Sequence, residues 1–133
     1  MVKTIEFRID SRSGVAPYLQ IVQQVRGALR LGLLREGDQL PTVKDAVAQV
    51  AINPNTVLKA YRALEHEGLV SGRPGVGTFV TQSVASVPAT DYRIAARGLA
   101  RWVAKARAAG LDDDDIRALL DSTLRAAHME GVA

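Results

Sequence analysis

Between Thr42 and Gly68 two short runs of helical apolar spacing stand almost end to end, and that closeness constrains the fold more than any other feature of the chain. Thr42 precedes VKDAVAQVA with Asp45 three residues on, resembling a capping box in which Asp replaces Glu. Val43, Ala46, Val47 and Val50 form the buried stripe of the helix that starts there. A second helix begins at once. Asn53 is a good N-cap, and Pro54 suits the first helical position, where its missing N–H leaves nothing unpaired. Val57, Tyr61 and Leu64, with Ala60 beside them, make its inner face, and Gly68 ends it. Two short helices joined by a few residues form a helix-turn-helix.

The flanks are read by the same periodicities. Ile5, Phe7 and Ile9 alternate with charged residues, the period-two pattern of a half-buried strand, and SRSG after them reads as a loop. From Pro17, the residues Tyr18, Ile21, Val22, Val25, Ala28 and Leu29 recur at helical spacing and predict a helix ending near Gly32. Leu34, Gly37 and Leu40 punctuate a connector. LVSGRPGVGTFVT predicts two strands, at 69–71 and 78–81, around a Gly-rich turn, and a hairpin directly after a helix-turn-helix is a wing. VTQSVASVPAT reads as a linker. Two amphipathic helices follow, one carrying Ile94, Leu99, Trp102, Val103 and Ala106, the next Ile116, Leu119, Leu120, Thr123, Leu124 and Ala127. The expected architecture is mainly α with a small β wing. Residues 1–82 form a winged helix-turn-helix, 83–90 a linker, and 91–133 a two-helix dimerisation region.

A chain of 133 residues has room for such a small domain with a helical appendage, not for two full-sized domains. Apolar residues at 47% suffice for a core. The absence of cysteine excludes disulfide frameworks and thiolate-based metal or nucleophile chemistry, and a cytoplasmic location is expected. The N-terminus has no apolar region of the secretory kind and no stretch approaches a membrane span, so no membrane partner is expected. Charge is unevenly placed. Residues 1–82 hold ten Lys/Arg against seven Asp/Glu, residues 91–109 five against one, and residues 110–133 two against six. A mildly basic head suits an anionic partner.

In a helix-turn-helix the second helix enters the major groove and its N-terminal residues meet the base edges. That singles out the outward Asn53, Asn55, Thr56, Lys59 and Arg62. Asn offers an adenine edge a donor and an acceptor together, Thr a hydroxyl or a methyl, and Lys and Arg suit phosphate or guanine. The competing structural account is that Asn53 and Thr56 merely cap a helix and the cations form a solvated face.

The segment PYLQIVQQVRGALRLGLLREGDQLPTVKDAVAQVAINPNTVLKAYRALEHEGLVSGRPGVGTFV resembles the DNA-binding domain of the GntR regulators over about residues 16–81. Its markers are the initial Pro-Tyr with Gln-Ile, Gly-Asp-x-Leu-Pro at 37–41, Asn-Thr-Val at 55–57, Glu-Gly-Leu-Val at 67–70 and Gly-x-Gly-Thr-Phe-Val at 75–80. INPNTVLKAY and the short tail resemble the YtrA subfamily, since the larger effector domains of other subfamilies do not fit in the 51 residues after Gln82. The resemblance implies a homodimer on a double-stranded DNA operator with two half-sites arranged as an inverted repeat, repression as the usual outcome, and operons that often encode ATP-binding cassette transporters. It also implies DNA-facing roles for Lys44, Asn53, Asn55, Thr56 and a wing tip of Arg73, Gly75, Val76 and Gly77. Two positions depart from the wider family, in which Arg often stands at Lys44 and at Pro54. Lys44 keeps the charge without the bidentate fork, and Pro54 has neither.

Other chemistries find little support in the residues. GRPGVGT has the glycines of a phosphate-cradling loop, but such loops lead from strand into helix and this one leads into FVT. The acidic run at 112–115 suggests hard-cation ligands, yet consecutive helical residues diverge and neither His66 nor His128 lies at ligand spacing. Acids in a first helical turn also favour the helix dipole. No metal, no cofactor and no catalytic site are expected, and an effector is left open. The row Arg93, Arg97, Arg101 and Lys105 is a solvated face, a contact to a partner subunit or an extra DNA contact. The dimer contacts are expected at Ile94, Leu99, Trp102, Val103, Ile116, Leu120 and Leu124, with Trp102 as an anchor. A winged helix that binds protein instead of DNA is the second function class, and outward Asn, Thr, Lys and Arg argue against it.

Overall fold

Five helices and one antiparallel hairpin follow one another in the computed structural model, which describes residues 5–82 and 87–132. They fall into two units, Met1–Ala89 and Thr90–Ala133. In the first unit α1 spans Pro17–Arg30, α2 Val43–Val50 and α3 Pro54–His66, followed by β1 at Val70–Arg73 and β2 at Gly77–Val80. The second holds α4, Ala89–Ala108, apart from its first residue, and α5, Asp113–Val132. Of the expected linker at 83–90, Ala89 and Thr90 are helical, and residues 83–86 lie outside the described residues.

Local chemistry sets the helix starts. Pro17 opens α1 and Pro54 opens α3 at positions that need no amide donor. The Thr42 hydroxyl accepts the Asp45 amide at 3.1 Å, and the Asn53 side chain accepts the Asn55 amide at 2.8 Å. Between α2 and α3 the chain turns through Ala51, whose φ of 52° is the one positive φ among non-glycine residues described.

One core closes this unit. Ile21, Val25 and Leu29 of α1, Val57 and Leu64 of α3, and the connector residues Leu34 and Leu40 are all fully or almost fully buried. Each such side chain contributes roughly 1.5–3 kcal/mol of transfer free energy. Val70 and Val80 seal the core from the hairpin side. Tyr61 reaches across it, its hydroxyl donating to the Pro41 carbonyl oxygen at 2.5 Å. Burial, helped by the nearby Asp45 carboxylate, pushes that hydroxyl's pKa above the ordinary phenol value.

The N-terminal segment departs from expectation. Phe7 is buried between half-buried Ile5 and Ile9, as the alternation requires, but residues 5–10 form no strand. Among the described residues no strand pairs with them, and glutamine side chains take that part. Gln49 accepts the Phe7 amide at 3.0 Å, and Gln24 accepts the Arg8 amide at 2.9 Å while donating to the Arg8 carbonyl at 2.6 Å. Gln20, itself buried, accepts the Asp10 amide at 2.8 Å and donates to the Asp10 and Val15 carbonyls. Phe7 then tilts against Tyr61, ring centres 6.4 Å apart.

The connector also differs, for it adds a third strip to the hairpin. Leu40 donates to the Thr78 carbonyl at 2.8 Å, Val80 donates to the Asp38 carbonyl at 2.8 Å, and Gln39 pairs with Phe79. The wing is thereby fixed to the body along the outer edge of β2.

In the second unit Gly110, at φ +100°, ends α4, and α5 starts with a capping box made by the acidic run itself. Asp112 accepts the Asp115 amide at 2.8 Å and Asp115 accepts the Asp112 amide at 3.0 Å. Ala106 is the one apolar residue described here that is buried, while Leu99, Trp102, Leu119, Leu120 and Leu124 are exposed.

Candidate nucleic-acid interface

The exposed side of α3 is built by its cap and its packing together. Val57, Ala60, Tyr61 and Leu64 face the core, which turns Asn55, Lys59 and Arg62 outward. Asn55 and Arg62 have no side-chain partner among the described residues, so their polar groups are available to a ligand. Asn53 is exposed but half committed, its oxygen holding the Asn55 amide. Thr56 is half-buried, with its amide bonded to the Asn53 carbonyl at 2.9 Å. Lys44 is exposed in the first turn of α2.

Lys59 is placed by a contact that sequence periodicity does not reveal. Its ammonium lies over the Tyr18 ring, 4.0 Å from the centroid, which ties α3 to α1 and orients the cation. Arg73 is held in a similar way, its guanidinium 4.6 Å from the centre of the Phe79 ring across the wing.

The wing tip is a tight turn from Arg73 to Val76, closed by the Val76 amide donating to the Arg73 carbonyl at 2.9 Å. Pro74 supplies the first central residue and Gly75, at φ +76°, the second, as a type II turn requires. Gly77 follows at φ +144°, with the Gln39 side chain lying where a Cβ would point. Gln39 also donates to the Val76 carbonyl at 3.4 Å. Val76 projects with 60% of its surface exposed. Glu65 of α3 accepts the Gly72 amide at 2.7 Å, so wing and helix are joined directly. Tyr18, Gln39, Glu65 and Phe79 are thus supporting residues that no outward-facing pattern marks.

The result is an exposed polar and cationic surface: an amide and a guanidinium without side-chain partners on α3, a lysine and an arginine held over aromatic rings, and a protruding wing. Among the described residues no group of acidic, His or Cys side chains could hold a metal ion, and no helix is long and apolar enough to cross a membrane. The acids at 112–115 are occupied: Asp112 and Asp115 cap each other, and Asp113 pairs with Arg107 at 2.8 Å, which holds its carboxyl below the usual range.

On the tail the expected dimer residues divide. Leu99, Trp102, Leu120 and Leu124 are exposed, and Val103 and Ile116 are half-buried. Ile94 stands seven residues before Arg101 and hence on the side of the arginines, away from Leu99 and Val103.

Comparison with known proteins agrees with this geometry. Residues 17–80 match the family described as bacterial regulatory proteins, gntR family. The HTH-type transcriptional repressor YtrA of Bacillus subtilis is 40% identical over 76 residues, 57% of this chain and 58% of that protein, so the shared part takes in little more than half of YtrA. The HTH-type transcriptional regulator Rv1152 of Mycobacterium tuberculosis is 37% identical over 108 residues, 81% of this chain and 85% of that one. Among solved structures, YtrA from Sulfolobus acidocaldarius, a GntR-family transcription factor, superposes with a TM-score of 0.53 at 30% identity, covering 72% of this chain and 99% of the other.

Proposed function

Because the chain belongs to the gntR family of bacterial regulatory proteins, and is a sequence-specific DNA-binding transcriptional regulator, we propose that it acts as a homodimeric repressor on an operator of two half-sites. In this reading α3 lies in the major groove, where Asn55 and Arg62, with Asn53 and Thr56 at the helix start, meet base edges. Lys44, Lys59 and Arg73 hold phosphates, and Gly75, Val76 and Gly77 bring the wing against the adjacent backbone.

The observation that carries the dimer is the state of the tail. The head buries a complete core, whereas α4 and α5 leave Leu99, Leu119, Leu120 and Leu124 between 43% and 60% exposed and Trp102 at 38%. Two helices with one apolar face each cannot cover all of that surface, and a second copy supplies the missing cover. Trp102, Leu99 and Val103 of α4 with Ile116, Leu120 and Leu124 of α5 form the contact. Two copies present two recognition helices to half-sites about 34 Å apart or a multiple of it. Repression is supported by the relative named a repressor in Bacillus subtilis.

Retardation of the DNA upstream of the chain's own gene, beside the same duplex scrambled, tests the reading. A shift of the native duplex by protein that sediments as a dimer is expected. Equal affinity for both duplexes overturns operator recognition, and a monomer on the native duplex overturns the dimer.

A further inference from the structure

Arg93, Arg97, Arg101 and Lys105 are all exposed along one side of α4. Steps of four residues advance 6 Å along a helix and only about 40° around it, so the row runs about 18 Å within a sector of about 120°. Leu99, Val103 and Ala106 fall on the opposite side by the same geometry. None of the four cations has an ion pair among the described residues. The acids at 112–115 and Asp121 are engaged elsewhere. Asp113 is paired with Arg107, Asp114 with Arg117 at 3.3 Å and Asp121 with Arg125 at 2.7 Å, and Asp112 and Asp115 cap each other. A second copy of the chain therefore brings an α5 whose charges are largely satisfied, and its apolar faces call for the other side of α4.

We propose that the basic side of α4 is a second DNA contact, lying along the phosphate backbone beyond the bases that α3 reads. This rests on the dimer reading above, in which the apolar side of α4 meets the other copy and leaves the basic side outward. A duplex carries one phosphate per 3.4 Å on each strand, so an 18 Å row runs beside about five of them. Guanidinium groups suit such phosphates because their paired N–H donors match two oxygens at once. Residues 81–88, stretched to their limit, span no more than about 30 Å, and that tether keeps the row at high local concentration near any DNA the head holds.

The test uses the full chain and a long random-sequence duplex, so that it does not depend on operator recognition. One variant carries Arg93→Ala, Arg97→Ala and Arg101→Ala. A control of equal charge carries Arg12→Ala, Arg30→Ala and Arg35→Ala, all exposed positions off the row. The salt dependence of binding is measured for each, with sedimentation alongside. The slope of log affinity against log salt is expected to fall by roughly 0.9 for each phosphate that the α4 variant no longer neutralises, and by clearly less in the control, with both still dimeric. Equal slopes in the two variants overturn the proposal. So does dissociation of the α4 variant into monomers, which makes the row a subunit contact, or an unaltered DNA slope together with failure to bind phosphatidylserine vesicles that the parent binds, which makes it a membrane contact. Failure of the functional reading shows separately, as a wild-type chain that does not discriminate its operator from scrambled DNA.

Discussion

The Lys59 ammonium stands 4.0 Å from the centre of the Tyr18 ring, so the cation proposed for phosphate binding is also a link between the recognition helix and the first helix of the domain. A partly exposed cation–π contact contributes about 0.5–1 kcal/mol. Tyr18→Leu and Lys59→Ala should each lower stability, and the double variant should lose less than the sum, with a coupling of that size. Urea unfolding of the four proteins measures it. Strict additivity would show that the contact adds nothing.

Asn55→Ala should relax sequence preference, while Arg73→Ala should weaken all DNA alike. A base contact is worth about 1–3 kcal/mol of discrimination, whereas a phosphate contact carries no sequence information. Operator and scrambled duplex are titrated side by side. An unchanged affinity ratio for Asn55→Ala would remove that residue from base reading.

Ala51→Gly should stabilise the head. Ala51 holds φ 52° and ψ 43°, a left-handed conformation costing an L-residue about 1–2 kcal/mol, at the end of α2 where glycine is the usual occupant. Glycine loses more chain entropy on folding, by about 0.5–1 kcal/mol, so the net gain is about 0.5–1 kcal/mol. The urea midpoint should rise with no change in the slope of the transition, and a fall would refute the strain.

Gln20→Ala should cost about 2–4 kcal/mol, because the side chain satisfies the Asp10 amide and the Val15 carbonyl and its removal leaves those two backbone groups without partners, the Asp10 carbonyl alone keeping a bond, from the Ser13 amide. At 8% exposure it stands where water does not readily take its place. Hydrogen exchange should rise first at residues 7–10. A variant as stable as the parent would mean that water replaces the glutamine at no cost.

Ending the chain after Gln82 should leave a folded, monomeric head that binds its operator weakly, because joining two readers raises affinity by about 10²–10⁴ over one alone. Trp102→Ala in the full chain should act in the same direction, since Trp102, 38% exposed, belongs to the apolar side proposed to meet the second copy. Sedimentation decides both. A truncated head that stays dimeric with undiminished affinity sinks the assignment of the dimer to the tail.

What the sequence determined by itself is everything governed by chemistry within a few residues. Thr42, Asn53, Pro17 and Pro54 mark helix starts, Gly68 and Gly110 mark ends, and Pro74-Gly75 specifies the turn at the wing tip, because caps and φ preferences act locally. Apolar spacing likewise identified Val57, Tyr61 and Leu64 as the inner side of α3, and so which side faces outward. It named the buried Phe7 correctly as well, but alternation reports only which side chains face inward and is silent on what bonds the backbone. That was decided in three dimensions, where Gln49 arrives from 42 residues away and Gln24 from 16 to take the place of an absent strand. Gln39 joining the wing, Lys59 lying on Tyr18 and Glu65 holding Gly72 belong to the same class. Each depends on which polar groups the packed core leaves without partners, and that is settled only when distant segments meet.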